Sequence, residues 1–268
     1  MPDGAPHAGP WDIRHFSDVD AAQDPSALIA FLEQVERLPW VEALRGRSFD
    51  ALELAPGACV LEVGCGPGTA VGVWQERGVA AVGVDPSQAM IEHARRKVPG
   101  ADFCQASANA LPFAARSQDG YRAERVYEHL QEPERALREA RRVLRPGGRI
   151  ALLDLDYDLW AIDADDPELT SALAGAMADT VACPRIGRRF FALLRDAGFH
   201  GIAVSVQAQV LSELETAEPL LLAVTRAAVQ KGRASAAACD AWLREQRDRA
   251  AAGRLCVVLP MFLATAMA

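Results

Sequence analysis

Short apolar segments alternate with amphipathic stretches through the middle of the chain. Segments such as Cys59–Val63 and Ala80–Val84 are mostly apolar, and each is followed by a stretch with apolar residues at helical spacing. Strands that are buried on both faces have such apolar runs, and their alternation with helices is typical of a parallel sheet covered on both sides. The pattern therefore predicts an α/β core.

The same pattern of apolar and polar positions gives the bounds of the predicted elements. The predicted strands are Cys59–Val63, Ala80–Val84, Ala101–Gln105, Gly120–Ala123 and Arg149–Asp154. The predicted helices between them are Thr69–Arg77, Gln88–Lys97 and Pro133–Val143.

Two further regions flank this core. Ala27–Leu44 carries apolar residues at helical spacing and predicts a helical cap before the first strand. Towards the end of the chain, β-like segments at Gly201–Val210 and Leu255–Met267 enclose two helical stretches, Ala217–Gln230 and Ala234–Ala251. An insertion at this point is a natural place for a lid. The predicted organisation is a cap over 1–50, a core over 51–210 in which 157–189 faces the substrate, a lid over 211–253 and a last core strand over 254–268.

Composition narrows the possible functions. The 268 residues are half apolar, which is enough for a sizeable core, and their net charge of −8 disfavours a nucleic-acid partner. The six cysteines are scattered without metal-ligand spacing, so neither a zinc site nor any other metal is expected. We expect a cytoplasmic protein with no membrane contact, since no signal-peptide pattern or apolar run of spanning length is present. Monomer and homodimer both stay open.

The most informative motif is a glycine loop at the end of the first predicted strand. Gly64, Gly66 and Gly68 follow Val60–Val63 and precede a helix. Glycine permits positive φ and lacks a Cβ, so a ligand can lie directly against the backbone there. By itself such a loop is also compatible with a plain strand-to-helix turn.

An acidic strand end makes the motif more specific. Asp85 closes the next predicted strand, where a carboxylate can accept hydrogen bonds from both hydroxyls of a ribose. Asp85 is also a candidate cap for the helix that follows. The loop lacks the lysine of a phosphate-binding P-loop, and Thr69 stands where a dinucleotide fingerprint has its third glycine. Glu62 would repel a pyrophosphate but suits a ligand with an ammonium and a sulfonium group.

These residues resemble the class I methyltransferases that depend on S-adenosylmethionine, in particular the ubiquinone/menaquinone-methyltransferase-like "type 11" domain. The resemblance covers about residues 58–155. It rests on VLEVGCGPG (60–68), VGVDPSQAM (82–90), NALPF (109–113), ERVYEHLQEPERALREARRVLRPGGR (124–149) and LLDLD (152–156). It implies a Rossmann-like, seven-stranded and mostly parallel sheet with an antiparallel last strand, S-adenosylmethionine as cofactor and S-adenosylhomocysteine as product.

The resemblance and the position of each motif also imply the cofactor site. The predicted cofactor-binding residues are Glu62, Gly64, Cys65, Gly66, Gly68, Asp85, Pro86, Met90, Ser107, Ala108 and Glu124. Ser107 departs from the family, which usually has an aspartate there, so its contact with adenine would be weaker and uncharged.

Residues after the fourth predicted strand are candidates for chemistry. Arg125 and His129 are one helical turn apart, so both can face one cavity if this stretch is helical. His129 is the best candidate for a general base, because a histidine titrates near neutral pH. A surface ion pair of Glu124 with Arg125 and a capping role for His129 are the alternatives.

The acceptor is expected to be a small molecule. The predicted substrate-binding residues are Trp11, Phe16, Arg125, Tyr157 and Trp160. The rings of Trp11, Tyr157 and Trp160 can stack on a planar acceptor, and core packing is the alternative explanation for each of them. The layout resembles bacterial enzymes that modify small molecules, often natural products, with an O, N or C acceptor. A protein or nucleic-acid methyltransferase and a non-catalytic S-adenosylmethionine-binding protein stay open as alternatives.

Overall fold

A computed structural model describes residues 19–22 and 24–268, and it contains one continuous sheet. The strands are β1 (Cys59–Val63), β2 (Ala80–Asp85), β3 (Asp102–Gln105), β4 (Gln118–Glu124), β5 (Leu144–Leu155), β6 (Ala161–Ile162), β7 (His200–Leu211) and β8 (Val257–Met267). The predicted substrate-binding residues Trp11 and Phe16 lie outside the described residues.

Helices cover the sheet, and further helices precede its first strand and its last strand. They are α1 (Pro25–Glu36), α2 (Pro39–Asp50), α3 (Thr69–Glu76), α4 (Gln88–Lys97), α5 (Pro133–Val143), α6 (Pro167–Ala178), α7 (Ile186–Asp196), α8 (Leu214–Gln230) and α9 (Ala236–Ala251). The bounds of β1, α4 and α5 coincide with the sequence prediction, because continuous apolar runs and strongly amphipathic stretches leave little choice of period.

The strand order is β3-β2-β1-β4-β5-β8-β6, and β7 also pairs with β8. Strands β1 to β5 are parallel, whereas β8 runs antiparallel to β5, β6 and β7. The predicted Rossmann-like fold with an antiparallel last strand is confirmed. The described sheet has one strand more than the resemblance implies, the two-residue β6.

The N-terminal cap differs from the single helical stretch predicted over Ala27–Leu44. It consists of two helices, α1 and α2, that are separated at Pro39. Proline has no backbone N–H and a fixed φ, so it interrupts a helix but suits the first position of a new one. The cap therefore turns at this point and brings Trp40 and Arg45 of α2 towards the sheet.

The insertion between β7 and β8 has a hydrophobic core of its own. Leu221 and Val224 of α8 and Trp242 of α9 pack with Leu173 and Met177 of α6 in one buried cluster. This cluster is separate from the main core around β1, β4, β5, α5 and α7. The helices over 211–253 are thus attached to α6 as a packed unit; their role as a lid stays a prediction.

Candidate functional site

One cavity of about 750 Å³ lies at the carboxyl ends of the parallel strands. We call the part formed by the ends of β1, β2 and β3 the glycine side, and it is lined by Gly64, Gly66, Asp85, Met90 and Ser107. We call the part formed by α2, β5, α8 and β8 the aromatic side, and it is lined by Trp40, Tyr157, Trp160, Leu220 and Met261. Ligands of such sheets bind at the carboxyl ends of the strands, where this cavity lies.

The glycine loop has the backbone geometry that only glycine adopts easily. Gly64, Gly66 and Gly68 all have positive φ, of 66°, 48° and 86°. A Cβ at Gly66 would meet no atom within 4 Å, so open space adjoins the backbone there. Gly68 does not line the cavity, and a Cβ at Gly68 would lie 2.9 Å from that of Ala94. Its bare backbone serves the packing of α3 against α4.

Asp85 ends β2 with its carboxylate in the cavity wall. Its Oδ2 accepts from the N–H of Gly66 at 3.0 Å, and its Oδ1 accepts from the N–H of Ser87 at 2.9 Å. Burial raises the pKa of Asp85, although these two backbone donors oppose the rise. Each oxygen retains a further lone pair for a ligand hydroxyl. Asp85 is not the helix cap, because Ser87 caps α4 by accepting from the N–H of Met90.

All of the other predicted cofactor residues also line the cavity. These are Glu62, Cys65, Pro86, Ala108 and Glu124. Ser107 Oγ accepts from the N–H of Asn109 at 3.2 Å and keeps its hydroxyl proton for another acceptor. Their contacts with a cofactor stay predictions.

A buried network of charges runs under the middle of the cavity. Arg122 on β4 pairs with Glu62 of β1 and, at 2.6 Å, with Glu124. Arg45 of α2 pairs with Glu124 at 2.9 Å and with Glu36 at 3.4 Å. All of these side chains are at most 11% exposed, so each charge depends on its partner for stabilisation.

This network affects the ionisation of two predicted cofactor-binding residues, Glu124 and Glu62. Glu124 is neither a surface ion pair nor a cap: against the effect of burial, Arg122 and Arg45 hold its pKa well below the ordinary value. The two oxygens of Glu62 already accept from Arg122 and from Trp74 Nε1. Burial still raises the pKa of Glu62. The charge that the sequence offers to a cationic ligand is therefore largely compensated by Arg122.

Arg125 and His129 line the same cavity, as predicted. However, they are not joined by the continuous helical stretch on which the prediction depended. Only Tyr127–His129 forms a helical turn, of the 3-10 type, and Arg125 has a positive φ of 54°. His129 is not the cap of α5, because Glu132 occupies that position. The left-handed backbone at Arg125 is strained for a residue with a Cβ and is typical of functional sites.

Two carboxylates lie behind His129. Its Nε2 is 3.3 Å from Oε1 of Glu128, whose side chain is 5% exposed. Asp154, at the end of β5, accepts from the N–H groups of Val126, Tyr127 and Glu128. Burial and the nearby Glu128 raise the pKa of Asp154. Burial would also raise the pKa of Glu128, but His129, Tyr157 and Arg125 together lower it below its ordinary value. The pair thus orients the turn that carries His129.

The aromatic side has a rigid wall. The rings of Tyr157 and Trp160 stack with centroids 4.7 Å apart and planes inclined by 28°. Tyr157 is buried, and Trp160 with Trp40 packs against the same cluster of α6, α8 and α9. The predicted residues Tyr157 and Trp160 therefore lie together, and Trp40, which was not predicted from the sequence, lines the same cavity.

Sequence reasoning also missed Arg45, Arg122 and Glu128. An acid directly before the candidate base is a signal that could have identified Glu128. No comparable signal exists for Arg45, which comes from the cap, or for Arg122, which occupies an ordinary strand position. Their roles depend on pairing across β1, β4 and α2.

The residues on the glycine side fit the cofactor that the resemblance implies. Open space adjoins Gly66, and Asp85 offers buried acceptor positions for the hydroxyls of a ribose. Among the described residues, no group of three or more His, Cys, Asp or Glu side chains is arranged to hold a metal ion. No helix of the described part of the chain is both long enough and apolar enough to cross a membrane.

Comparisons with known proteins support the same family. Residues 61–152 match the model of a methyltransferase domain. The chain is 32% identical over 249 residues to an uncharacterised 37.1 kDa protein of transposon TN4556 from Streptomyces fradiae, covering 90% of this chain and 71% of that protein. It is also 32% identical to a demethylmenaquinone methyltransferase of Renibacterium salmoninarum, covering 53% of this chain. The match spans 57% of that relative's length.

Solved structures share the fold. A phosphoethanolamine N-methyltransferase of Haemonchus contortus, in complex with phosphomonomethylethanolamine and S-adenosylhomocysteine, is 15% identical with a TM-score of 0.61. The alignment covers 94% of this chain and 59% of that one. Taken with the glycine loop and the cavity, the domain match and the methyltransferase relative show that this chain belongs to the S-adenosylmethionine-dependent methyltransferases.

Proposed function

We propose that this methyltransferase methylates a small, planar aromatic acceptor, of the kind found among natural products, at a hydroxyl group. One observation carries the proposal: a single cavity joins Asp85 and the glycine loop to His129 and the stacked pair of Tyr157 and Trp160. Its 750 Å³ lie in the upper part of the range of about 300–1,000 Å³ that is usual for small-molecule sites. A cofactor and a compact acceptor are accommodated together.

The chemistry needs few side chains. S-adenosylmethionine supplies a methyl group on a positively charged sulfur, a leaving group that is already activated. The protein has to align the acceptor oxygen and exclude water. The apolar lining of Leu155, Leu220 and Met261 serves the second requirement.

His129 is the proposed general base. Because Nε2 faces Oε1 of Glu128, the ring nitrogen left to accept a proton is Nδ1. The hydroxyl proton passes to this nitrogen as the acceptor oxygen takes the methyl group. Glu128 acts as a positioning residue, since its carboxylate fixes the tautomer and stabilises the imidazolium that forms.

Release of S-adenosylhomocysteine across a panel of naphthols, naphthylamines and short peptides tests the proposal. We expect turnover with a naphthol, and His129→Ala should lower kcat about 10²–10⁴-fold with unchanged affinity for S-adenosylhomocysteine. The matched control is His93→Ala, since His93 pairs with Glu33 at 3.2 Å on the protein surface and does not line the cavity. Turnover confined to peptides, or a His129→Ala variant with full kcat, would contradict the proposal.

A further inference from the structure

Strand β7 lies at an edge of the sheet, because it pairs with β8 along one side and no other described strand pairs with it. The pairing with β8 is regular from Ala203 to Leu211. Only Leu211 is buried among the residues of β7, so the described part of the chain leaves the other side of the strand open. The N–H and C=O groups that point away from β8 therefore have no strand partner. Such a row of backbone groups is a template for a further strand.

This edge lacks the features that normally prevent pairing with another chain. Native edge strands are protected by charged side chains, by proline or by being short. Strand β3, at the opposite end of the sheet, has only four residues and begins with Asp102. In β7, by contrast, no charged residue and no proline occurs from Gly201 to Leu211. The two edges thus differ in how well they are protected, and β7 is the unprotected one.

The side chains of β7 also form an exposed apolar row. Successive residues of a strand point to opposite faces, so Val204, Val206 and Val210 share one face. They are 36%, 52% and 51% exposed. Only three other large apolar side chains of the described residues are exposed to this degree, and these are Leu159, Phe191 and Val229. Half of the large apolar side chains that the described residues expose therefore lie on one unprotected strand.

We propose that β7 is a dimer interface, at which two copies of this chain pair antiparallel about a two-fold axis at Val206. Val206 then lies opposite its own copy, and the apolar row meets itself, with Ile202 opposite Val210 and Val204 opposite Ala208. A two-fold interface requires such a self-complementary surface. The sheet continues through both chains, since each β7 gains the ladder partner that its own chain does not supply.

The charges at the two ends of β7 favour a second copy over an unrelated strand. Arg195 of α7 and Arg141, whose guanidinium lies 6.0 Å from the ring centroid of Phe199, adjoin the start of the strand and outnumber the acid Asp196. The exposed Glu213 follows the end of the strand. Antiparallel pairing brings the acidic end of one copy to the basic end of the other, twice in each dimer. Because each chain has a net charge of −8, this uncharged strand with complementary ends is where two copies can approach.

Sedimentation velocity over a range of protein concentrations tests the interface. We expect the wild-type chain to sediment as a dimer at micromolar concentration. Val206→Lys and Val206→Glu should each raise the dissociation constant about tenfold or more, because like charges then face each other across the axis. An equimolar mixture of the two variants should dimerise again, since a lysine faces a glutamate in the mixed dimer. This recovery would also show that both variants are folded.

Val229→Lys is the matched control. Val229 is an exposed valine too, at 42%, but it lies on α8 and not on β7. This variant should remain a dimer with the wild-type dissociation constant. The test does not depend on the proposed acceptor, because among the residues of β7 only Leu211 lines the cavity.

Three results would overturn the interface. The first is a wild-type chain that stays monomeric at every concentration, which would leave the edge to a strand of a different protein. The second is a dimer that Val206→Lys and Val206→Glu do not weaken. The third is an equal weakening by Val229→Lys, which would show that added charge alone, and not its place on β7, separates the copies.

Discussion

The two sides of the cavity differ in how completely the protein satisfies its own polar groups. On the glycine side, both oxygens of Asp85 accept backbone N–H groups and Ser107 Oγ accepts another. On the aromatic side, Trp40 and Trp160 each bury an indole nitrogen without a partner. The polar groups named on the glycine side are paired within the protein, whereas the two indole nitrogens on the aromatic side are buried without a partner.

The difference has a physical origin in how each side is assembled. The glycine side is formed by neighbouring turns of βα units, where loop backbone and side chains pair locally. The aromatic side is assembled from α2, the turn after β5, α8 and β8, which are far apart in sequence. The indole nitrogens of Trp40 and Trp160 therefore meet no acceptor from a neighbouring turn. Three substitutions and one hydrogen-exchange measurement test this difference, in order of decreasing expected effect.

Arg122→Met removes the side chain on which the middle of the cavity depends. Glu62 and Glu124 would lose a buried partner, and breaking such a pair costs about 3–5 kcal/mol of the free energy of unfolding. Urea unfolding measures the loss. The control is Arg189→Gln, which breaks the exposed pair with Glu134 and should cost no more than about 1 kcal/mol. Equal losses in the two variants would show that the buried network adds nothing.

Gly68→Ala tests whether the glycine loop is a preformed scaffold. The new Cβ would meet Ala94 and Phe103 at 2.9 to 3.1 Å, which adds overpacking of about 1–3 kcal/mol to the backbone strain. Gly57→Ala separates the two effects, because Gly57 has the same φ of 86° and open space around it. We expect a lower free energy of unfolding for Gly68→Ala than for Gly57→Ala. If the two variants have the same free energy of unfolding, the positive φ alone would explain why residue 68 is a glycine.

Asp85→Asn concerns the proposed ribose contact. An amide loses the charge-assisted bonds, and we expect about tenfold weaker binding of S-adenosylhomocysteine by calorimetry at neutral pH. Because burial raises the pKa of Asp85, wild-type affinity should be full well above that pKa and fall as the pH drops through it. The amide does not titrate there, so its affinity should not show this fall. A wild-type affinity that stays constant down to the ordinary aspartate range would argue against a charged contact.

Hydrogen exchange in α8, on the aromatic side of the cavity, is expected to show the smallest effect. Pro219 lies inside α8 and cannot donate to the carbonyl of Glu215, so the first turns of α8 are weakly held. We propose that these turns act as a lid. With a ligand at about twice its Kd, linkage predicts about threefold slower exchange in α8. Equal protection with and without S-adenosylhomocysteine and an acceptor would reject the lid.

Several parts of this protein follow from sequence alone. The bounds of β1 and the end of β2 near Asp85 could be predicted directly. Apolar runs are compatible with only one type of secondary structure here, and the glycine loop marks the turn that ends β1. The N-terminal cap was harder. Apolar spacing continues across Pro39, so a single helix was predicted, and the missing N–H of proline divided it.

Local patterns are sufficient to predict the core strands, the glycine loop and the residues at the strand ends, since each of these depends on neighbours within a few positions. Three features are visible only in the folded structure: Arg122 neutralises Glu62, Glu128 lies behind His129, and Trp40 lines the same cavity as Trp160. The contacts of Arg122 and of Trp40 connect elements that are far apart along the chain, whereas Glu128 directly precedes His129 and only the position of its side chain required the structure. Burial and the pairing of charges exist only once the layers have packed, which is why local sequence patterns do not reveal them.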